Sequence, residues 1–398
     1  MNIRVRNSTP LLVGWYRQDK VDPVGIRATE IKGLWRYWAR AIIGGVLYDQ
    51  GYLAGRHRDN ICRVPDKYEV KAISCLIGRI LGLGYVSEEG SEASRFKLFV
   101  EPSTQIKQSV IPKHHRDLQG ASLLIIKRKT EFIDSGAEFN IRVLKRSVPK
   151  QDKYDSLFRS GEELAIKILV MALQLSGLGK GGRRGLGSLD IISLRGFSTQ
   201  RSIRDLMSDI YSLASKIIED PHTREICKCL TYLKRRSEDH LPPIPIISKR
   251  MIRNNINISS ISIISQIRFR DIHNFFLRSY RCYVLTKRYD CFDNIRNTYS
   301  GWFLGLPRKQ QISKGYEAGE ISRRASPIYV AYHERENLFG EGAYVSILLS
   351  ADWPYKITWD GVDITINDDK ILDAYKIVWD EFEDYLKRLN AKTTRVWP

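Results

Sequence analysis

Apolar residues recur along the first half of the chain with the two spacings typical of strands and helices. Four segments are short and branched or alternating, as in strands: residues 2–13, 96–100, 139–144 and 189–194. Two segments have apolar residues three and four apart, as in helices: residues 29–44 and 162–176. In chain order they read strand, helix, two strands, helix, strand, which is the βαββαβ order of a ferredoxin-like module.

The second half also mixes the two patterns. Helical spacing is found at residues 203–219, 223–236, 271–289 and 368–389, and strand-like runs at 325–332 and 343–350. A closing strand is not expected after the last helix because only nine residues follow Leu389. If this half repeats the first, residues 258–269 must take that place. We predict an α+β fold of two ferredoxin-like (RRM-like) modules with insertions, divided near residue 200 into 1–199 and 200–398.

Charge indicates the class of partner. The chain carries 64 Lys and Arg against 45 Asp and Glu, a net charge of +19. Such an excess favours nucleic acid or an anionic membrane surface. The sequence has no apolar run of spanning length and no signal-peptide core, so we expect a cytoplasmic protein that binds nucleic acid and no membrane. The excess does not lie in residues 367–390, which hold seven acidic and four basic residues.

The six cysteines give no metal-binding pattern. They are Cys62, Cys75, Cys227, Cys229, Cys282 and Cys291. No C-x-x-C pair and no zinc quartet can be formed from them. We expect buried or incidental thiols in a reducing compartment, with no metal and no cofactor.

The most distinctive segment is GLGKGGRRGLG at residues 177–187, where six glycines are interleaved with Lys180, Arg183 and Arg184. A backbone without Cβ atoms can approach a ligand closely, and the three cations favour a polyanion. The helix-then-strand order excludes a dinucleotide fingerprint, and Gly181 after Lys180 excludes a Walker motif. A glycine helix cap followed by a plain connector is the alternative. We predict a phosphate-binding loop.

A second cluster of cations lies on the first predicted helix. At 100° per residue one arc is apolar: Ile31, Leu34, Trp35, Trp38 and Ile42. Another is basic: Lys32, Arg36 and Arg40. Like charges four apart destabilise a helix unless an anion lies opposite, so we predict a nucleic-acid-binding face, with a solvated surface as the alternative. Trp35 and Trp38 are predicted in the core, Thr29 is the expected N-cap, and Gly33 suggests a close backbone approach.

These motifs together resemble the RAMP superfamily of CRISPR proteins. The residues concerned are STPLLVGW at 8–15, the helix motif IKG-x-x-R-x-W-x-R at 31–40 and the loop motif GRRG-x-GS at 182–188. In the second half, LGLPR at 304–308 and RRASPIYVAY at 323–332 are similar to that family's second module. The chain is most similar to the first-numbered subunits of type III-B (Cmr) RNA-silencing complexes.

The resemblance implies a non-catalytic subunit of a ribonucleoprotein for antiviral defence. Such a subunit lies near the 3′ region of the guide RNA, helps to capture target RNA and contacts other subunits of the effector complex. It implies two ferredoxin-like modules and no cofactor. The residues expected at RNA are Lys32, Arg36, Arg40, Lys180, Gly181, Gly182, Arg183, Arg184, Gly185, Arg308, Arg323 and Arg324.

A ribonuclease is the competing hypothesis. Backbone subunits of the same superfamily cleave RNA with a loop aspartate and a divalent metal, and Asp22 lies in a comparable loop. One aspartate is an incomplete metal site, however, and the Asp-Pro pair is also typical of a turn. A metal-free nuclease would need a catalytic histidine, and His114 and His115 form the only local cluster. We therefore assign no catalytic residue.

Overall fold

The computed structural model has the predicted α+β class, with helices and strands mixed along the chain. It describes residues 1–15, 19–58, 60–87, 90–112, 129–146, 152–198, 202–237, 239–253, 255–276, 295, 301–306, 308–309, 315–317, 324–359 and 361–398. Within these ranges, no helix combines the length and the apolar character that crossing a bilayer requires.

The first half forms one antiparallel sheet with two long helices. Its main elements are β1 Asn2–Asn7, α1 Ala28–Asp49, α2 Lys67–Cys75, β2 Phe96–Pro102, β3 Glu138–Lys145, α3 Asp155–Leu175 and β4 Leu189–Arg195. The strands lie in the order β4-β1-β3-β2 and every neighbouring pair is antiparallel. The predicted succession of strand, helix, two strands, helix and strand is confirmed.

Helix α1 begins one residue earlier and ends five residues later than its pattern predicted. Arg27, with extended backbone, precedes it, and the Glu30 carboxylate accepts a bond from the Arg27 amide at 3.4 Å. The expected Thr29 cap is therefore wrong. At the far end, a Cβ on Gly45 would lie 1.6 Å from the Ile247 carbonyl oxygen, so the glycine admits a neighbouring chain segment.

The excursions of the first half contain α2 and several short strands. These strands are Arg56–Arg58, Ile61–Val64, Tyr85–Ser87, Gly90–Glu92, Gln108–Pro112 and Lys129–Ile133. Asp66 caps α2 by accepting bonds from the amides of Tyr68 and Glu69 at 2.7 and 2.9 Å. A π-helical turn, Leu76–Ile80, continues from α2.

A helical segment follows the first sheet. It contains α4 Ile203–Glu219, α5 Pro221–Ile226 and a 3₁₀ turn, Lys228–Tyr232. The predicted continuous helix over 223–236 is wrong, because Cys227 has a non-helical backbone (φ −102°, ψ 66°) between the two pieces. Cys227 is bonded to Cys75 of α2, with 5.8 Å between their Cα atoms. This disulfide corrects the expectation of free thiols for these two residues, whereas Cys62 is a buried free thiol.

The second half forms another four-stranded antiparallel sheet. Its main elements are β5 Ser259–Ser265, α6 Phe269–Phe276, β6 Ile328–His333, β7 Gly342–Leu348, α7 Asp368–Arg388 and β8 Lys392–Trp397. The strand order is β6-β7-β5-β8. Two expectations are corrected: β8 is a closing strand after the last helix, and residues 258–269 supply the first strand instead. The predicted helix 271–289 is described only as far as Phe276.

Short strands complete the second half: Met251–Ile252, Ile256–Asn257, Gly305–Leu306, Arg308–Lys309, Gly315–Glu317, Arg324–Ala325, Lys356–Trp359 and Val362–Thr365. In both large sheets the strands, numbered in chain order, lie in the sequence 4-1-3-2. One continuous hydrophobic cluster includes buried residues of both halves. The two sheets therefore share a core.

Candidate nucleic-acid interface

The glycine-rich loop, residues 177–187, connects α3 to β4 and folds tightly against itself. A Cβ on Gly177 would lie 1.9 Å from the Leu186 carbonyl oxygen, and one on Gly187 would lie 2.2 Å from that of Leu178. The Gly177 amide donates to the Gly182 carbonyl at 2.9 Å. Close packing within the chain therefore explains these glycines without a bound anion.

The same loop lies along the edge of the second sheet. The Val330 amide of β6 donates to the Arg183 carbonyl at 3.1 Å, and the Gly185 amide donates to the Val330 carbonyl at 3.0 Å. Farther along, the Tyr332 amide donates to Ser188 Oγ at 2.9 Å. Backbone groups of an edge strand need partners, and the loop supplies them to β6. The segment predicted to bind phosphate thus joins the two halves of the molecule.

Arg183 reaches from the loop into an aromatic pair. Its Nη1 donates to the Ser326 carbonyl at 3.1 Å. Its guanidinium carbon lies 4.5 Å from the ring centre of Tyr329 and 5.5 Å from that of Tyr37 on α1. The two phenol hydroxyls are hydrogen-bonded to each other, and burial raises the pKa of Tyr37 well above its usual value. The cation is thus held against two neutral phenols.

Arg184 also points into the second half. Its Nη2 donates to the Leu304 carbonyl at 2.5 Å, and its guanidinium lies 5.9 Å from the Phe276 ring centre. The backbone carbonyl of Arg184 lies 2.8 Å from His273 Nδ1. Both loop arginines therefore make internal contacts.

Lys180 is the third cation of the loop. It is half-buried, and its amide donates to the Leu12 carbonyl at 2.9 Å. Partial burial lowers the pKa of its ammonium group, which the charge of Asp19 opposes. Of the loop glycines, Gly181 is half-buried, whereas Gly182 and Gly185 are buried.

The basic face of α1 lies opposite its packed face. Trp35 and Trp38 are buried, as predicted, and their indole N–H groups donate to the Ala165 carbonyl and to Ser176 Oγ. Arg40 is exposed and Lys32 is half-buried. One stripe of the helix therefore packs and the other faces outward, as its periodicity predicted.

Arg36 anchors the middle of this stripe. Its Nε and Nη2 donate to the Leu83 carbonyl at 3.1 and 2.5 Å, which holds the side chain along the surface. Partial desolvation and the Arg36 charge lower the pKa of Arg40. Gly33 is exposed and a Cβ there would meet nothing within 4 Å, so the expected close approach does not occur within the chain.

The stripe and the loop adjoin at Tyr37. At 3.6 residues per turn, Tyr37 follows Lys32, Arg36, Arg40 and Gly33 around the helix and borders the packed arc. Arg183 lies against its ring. The loop therefore contacts α1 beside its basic arc. Sequence reasoning missed Tyr37, although its angular position between the two arcs was a usable signal.

The second half contains three of the predicted RNA-binding residues, Arg308, Arg323 and Arg324. Arg324 is only 9% exposed and pairs with Asp352 at 2.7 Å, while also donating to Ser350 Oγ at 3.1 Å. Its guanidinium is thus used inside the fold. Arg308 lies in a two-residue strand paired with Tyr316, and its side chain is not described. Arg323 lies outside the described residues.

The residues that the ribonuclease hypothesis needs either form hydrogen bonds within the chain or lie outside the described residues. Asp22 is buried and its Oδ2 accepts from Arg27 Nε at 2.5 Å, while its Oδ1 accepts from the Val24 amide at 2.9 Å. These bonds fit the alternative in which the Asp-Pro pair forms a turn and not a metal site. His114 and His115 lie outside the described residues. Among residues that the structure describes, no three acidic, His or Cys side chains cluster as metal ligands.

Comparisons with known proteins give one family match and several structural matches. The model of the RAMP superfamily matches residues 5–190. No curated protein sequence matches the chain. Among solved structures, a chain of the type III-B Cmr-beta complex bound to cognate target RNA and AMPPnP is 13% identical, with a TM-score of 0.52 over 96% of this chain and 98% of that one.

Cmr1 from Pyrococcus furiosus, in its apo form, is 16% identical and covers 100% of this chain and 98% of its own length, with a TM-score of 0.47. At such identities the first comparison supports a shared fold, and the second carries no further argument. The motifs at residues 31–40 and 182–188 fall inside the matched range. Over residues 5–190, somewhat less than half of its length, the chain is similar to the RAMP superfamily.

Proposed function

We propose that this chain is a non-catalytic, RNA-binding subunit of a type III-B CRISPR (Cmr) effector complex. In that role it contacts the 3′ region of the guide RNA and helps to capture target RNA, beside other subunits of the complex. The family match, the fold shared with a Cmr-beta chain and the net charge of +19 support it. The observation that carries it is the outward basic stripe of α1, bordered by the joint between the two sheets.

We also propose that the two sheets are two ferredoxin-like modules. Their equal strand order supports this, since 4-1-3-2 is the order that a βαββαβ unit adopts. The division near residue 200 stays a proposal, although α4, which follows it, is joined to helices of the first half. Lys167 of α3 pairs with Asp209 of α4 at 2.5 Å, and Cys227 is bonded to Cys75.

The proposed RNA contacts are phosphate contacts of Lys32, Arg36, Arg40 and Lys180. Phosphate contacts supply affinity with little dependence on sequence, which suits a subunit that must accept any guide. Gly181, Gly182 and Gly185 shape the loop backbone beside them. Arg183 and Arg184 act indirectly in this scheme, because they fix the loop and Tyr37 next to the stripe. Arg308 and Arg323 remain candidate contacts, and Arg324 is left out.

The test replaces Lys32, Arg36 and Arg40 together with alanine. Unrelated single-stranded RNAs should all bind more weakly, and the slope of log affinity against log salt should fall by about 2, since each phosphate contact to a single strand contributes about 0.7. The control removes the same charge from α7 by replacing the exposed Lys376, Lys387 and Arg388. An equal loss in both variants would reduce the effect to net charge and contradict the proposal.

A separate experiment tests whether the protein cleaves RNA. We expect purified protein to leave labelled RNA intact with and without Mg²⁺ or Mn²⁺, because the Asp22 carboxylate is paired with Arg27. A specific product that disappears in Asp22→Asn would overturn the non-catalytic assignment.

A further inference from the structure

An exposed pair of aromatic rings lies outside both basic stretches. Tyr232, in the 3₁₀ turn Lys228–Tyr232, is 60% exposed. Its ring centre lies 5.3 Å from that of Tyr68 on α2, with 30° between the planes. The ammonium of Lys67 lies 4.9 Å from the Tyr68 ring centre. A tyrosine exposed to this extent presents a broad flat surface to solvent. We call Tyr232 and Tyr68 together the tyrosine platform.

The surroundings of the tyrosine platform are basic. Lys228, Lys234 and Arg235 are exposed on the segment that carries Tyr232, and residues 228–237 contain no acidic residue. On α2 the one acidic residue, Glu69, is 2% exposed and accepts bonds from the Gly55 and Asp66 amides. Its charge is directed inward. Exposed basic side chains thus flank Tyr232 along the chain.

Two internal links hold the platform's two elements in place. The disulfide Cys75–Cys227 ends α2 and directly precedes the 3₁₀ turn. Arg236 covers the Tyr48 ring of α1 at 3.5 Å, and its Nη2 donates to the Tyr48 carbonyl at 2.9 Å. Because Arg236 serves as the anchor, Lys234 and Arg235 beside it remain at the surface. The rings are therefore preorganised.

The anchor also relates the platform to the basic stripe. Tyr48 lies eight residues beyond Arg40 on α1, or about 12 Å along the helix axis, and about 80° around it. A strand that follows the stripe toward the end of the helix thus approaches the segment that Arg236 fixes.

We propose that the tyrosine platform binds single-stranded RNA by stacking of a base on Tyr232, with Lys228, Lys234 and Arg235 at the adjoining phosphates. Aromatic rings beside cations are the usual means of binding single strands without sequence preference, since every base has a flat face. This inference rests on the proposed RNA-binding function and adds a second contact to it, within the segment between the two sheets.

The test measures binding of the full chain to a fluorescein-labelled oligouridylate over a range of salt concentrations. Tyr232→Ala should weaken binding about tenfold at every salt concentration and leave the salt slope unchanged, because stacking releases no counterion. Tyr232→Trp should retain the affinity. Tyr355→Ala, which removes another exposed tyrosine, should have no effect. Inorganic polyphosphate, which has no bases, should bind Tyr232→Ala and the unchanged protein equally.

Several results would overturn the platform. One is a Tyr232→Ala variant that binds RNA as tightly as Tyr355→Ala, and another is equal weakening of RNA and polyphosphate binding in Tyr232→Ala. Unchanged RNA affinity combined with loss of assembly with partner subunits would make the surface a protein interface. In each case a flattened slope in the Lys32, Arg36 and Arg40 variant would leave the main proposal standing. Failure of the unchanged protein to bind RNA at all would reject both.

Discussion

His333 of β6 and Asp190 of β4 form a buried contact between the two sheets, with 2.9 Å between Nδ1 and Oδ1 and exposures of 0% and 1%. On its other side, His333 Nε2 lies 2.8 Å from the Gln174 carbonyl oxygen. The imidazole thus bridges a carboxylate oxygen and a carbonyl oxygen, both of which are hydrogen-bond acceptors. The joint therefore contains a buried polar contact away from water.

Removing one member of this pair should destabilise the fold strongly. Asp190→Asn keeps the size of the side chain but removes a charged acceptor of buried hydrogen bonds, so we expect a loss of about 2–3 kcal/mol in the free energy of unfolding. Urea unfolding measures it. Asp384→Asn breaks the exposed pair with Lys387 and should cost less than about 1 kcal/mol. Equal losses in the two variants would mean that the buried contact adds no more stability than the exposed one.

Arg183 and Lys180 should separate stability from RNA binding. Arg183→Ala removes a charged hydrogen bond and two ring contacts at the joint, so unfolding should become easier by about 2 kcal/mol. Lys180→Ala should weaken RNA binding more than it lowers stability. Denaturant unfolding and RNA titration of both variants check this. If Arg183→Ala is as stable as the unchanged protein, the joint does not depend on that side chain.

Two glycines of α1 offer a matched pair. Gly33→Ala meets nothing within 4 Å and should stabilise the protein by about 1 kcal/mol through helix propensity. Gly45→Ala would bring a methyl group to 1.6 Å from the Ile247 carbonyl oxygen and should cost about 3 kcal/mol or more. Thermal unfolding distinguishes them. A stabilising Gly45→Ala would mean that the Ile247 segment does not lie against α1.

Acid should weaken the fold partly through His273. Burial lowers the pKa of this histidine to about 4, below its unfolded value of about 6.5. Between those limits the unfolded chain holds the extra proton, so the contribution is complete above pH 6.5 and declines as pH falls toward 4, by about 3 kcal/mol in all. His273→Gln should flatten this part of the stability profile. His57→Gln, at an exposed site, should not, and a steep profile in His273→Gln would reject the assignment.

Periodicity was sufficient for the first turns of α1 because they pack on one side only. Trp35 and Trp38 fall on one arc of α1 while Lys32, Arg36 and Arg40 fall on another, and the structure separates them in the same way. The closing strand β8 was missed because its sequence KTTRVW is mostly polar, and four of its six residues are exposed. Pairing with β5, and not the hydrophobicity of its own residues, makes this segment a strand.

The composition of the glycine-rich loop does not identify the group that the loop contacts. Six glycines with Arg183 and Arg184 indicate that the loop backbone approaches another group closely. A backbone carbonyl of the same chain satisfies that pattern as well as a phosphate does. The sequence contains no local signal that Val330 and Ser326, more than 140 residues away, meet these side chains. The Cys75–Cys227 bond is hidden for the same reason, since it joins residues 152 positions apart.

The position of β5 has a consequence for biosynthesis. This strand pairs with β7 on one side and with β8 on the other. Its second neighbour is therefore translated more than 120 residues after it, whereas β1 has both of its neighbours once residue 195 is made. The first sheet can thus assemble while the ribosome is still working, and the loop that will cover β6 must wait for its strand. During that interval the nascent protein exposes an unfinished edge, which makes it the stage most open to chaperones and aggregation.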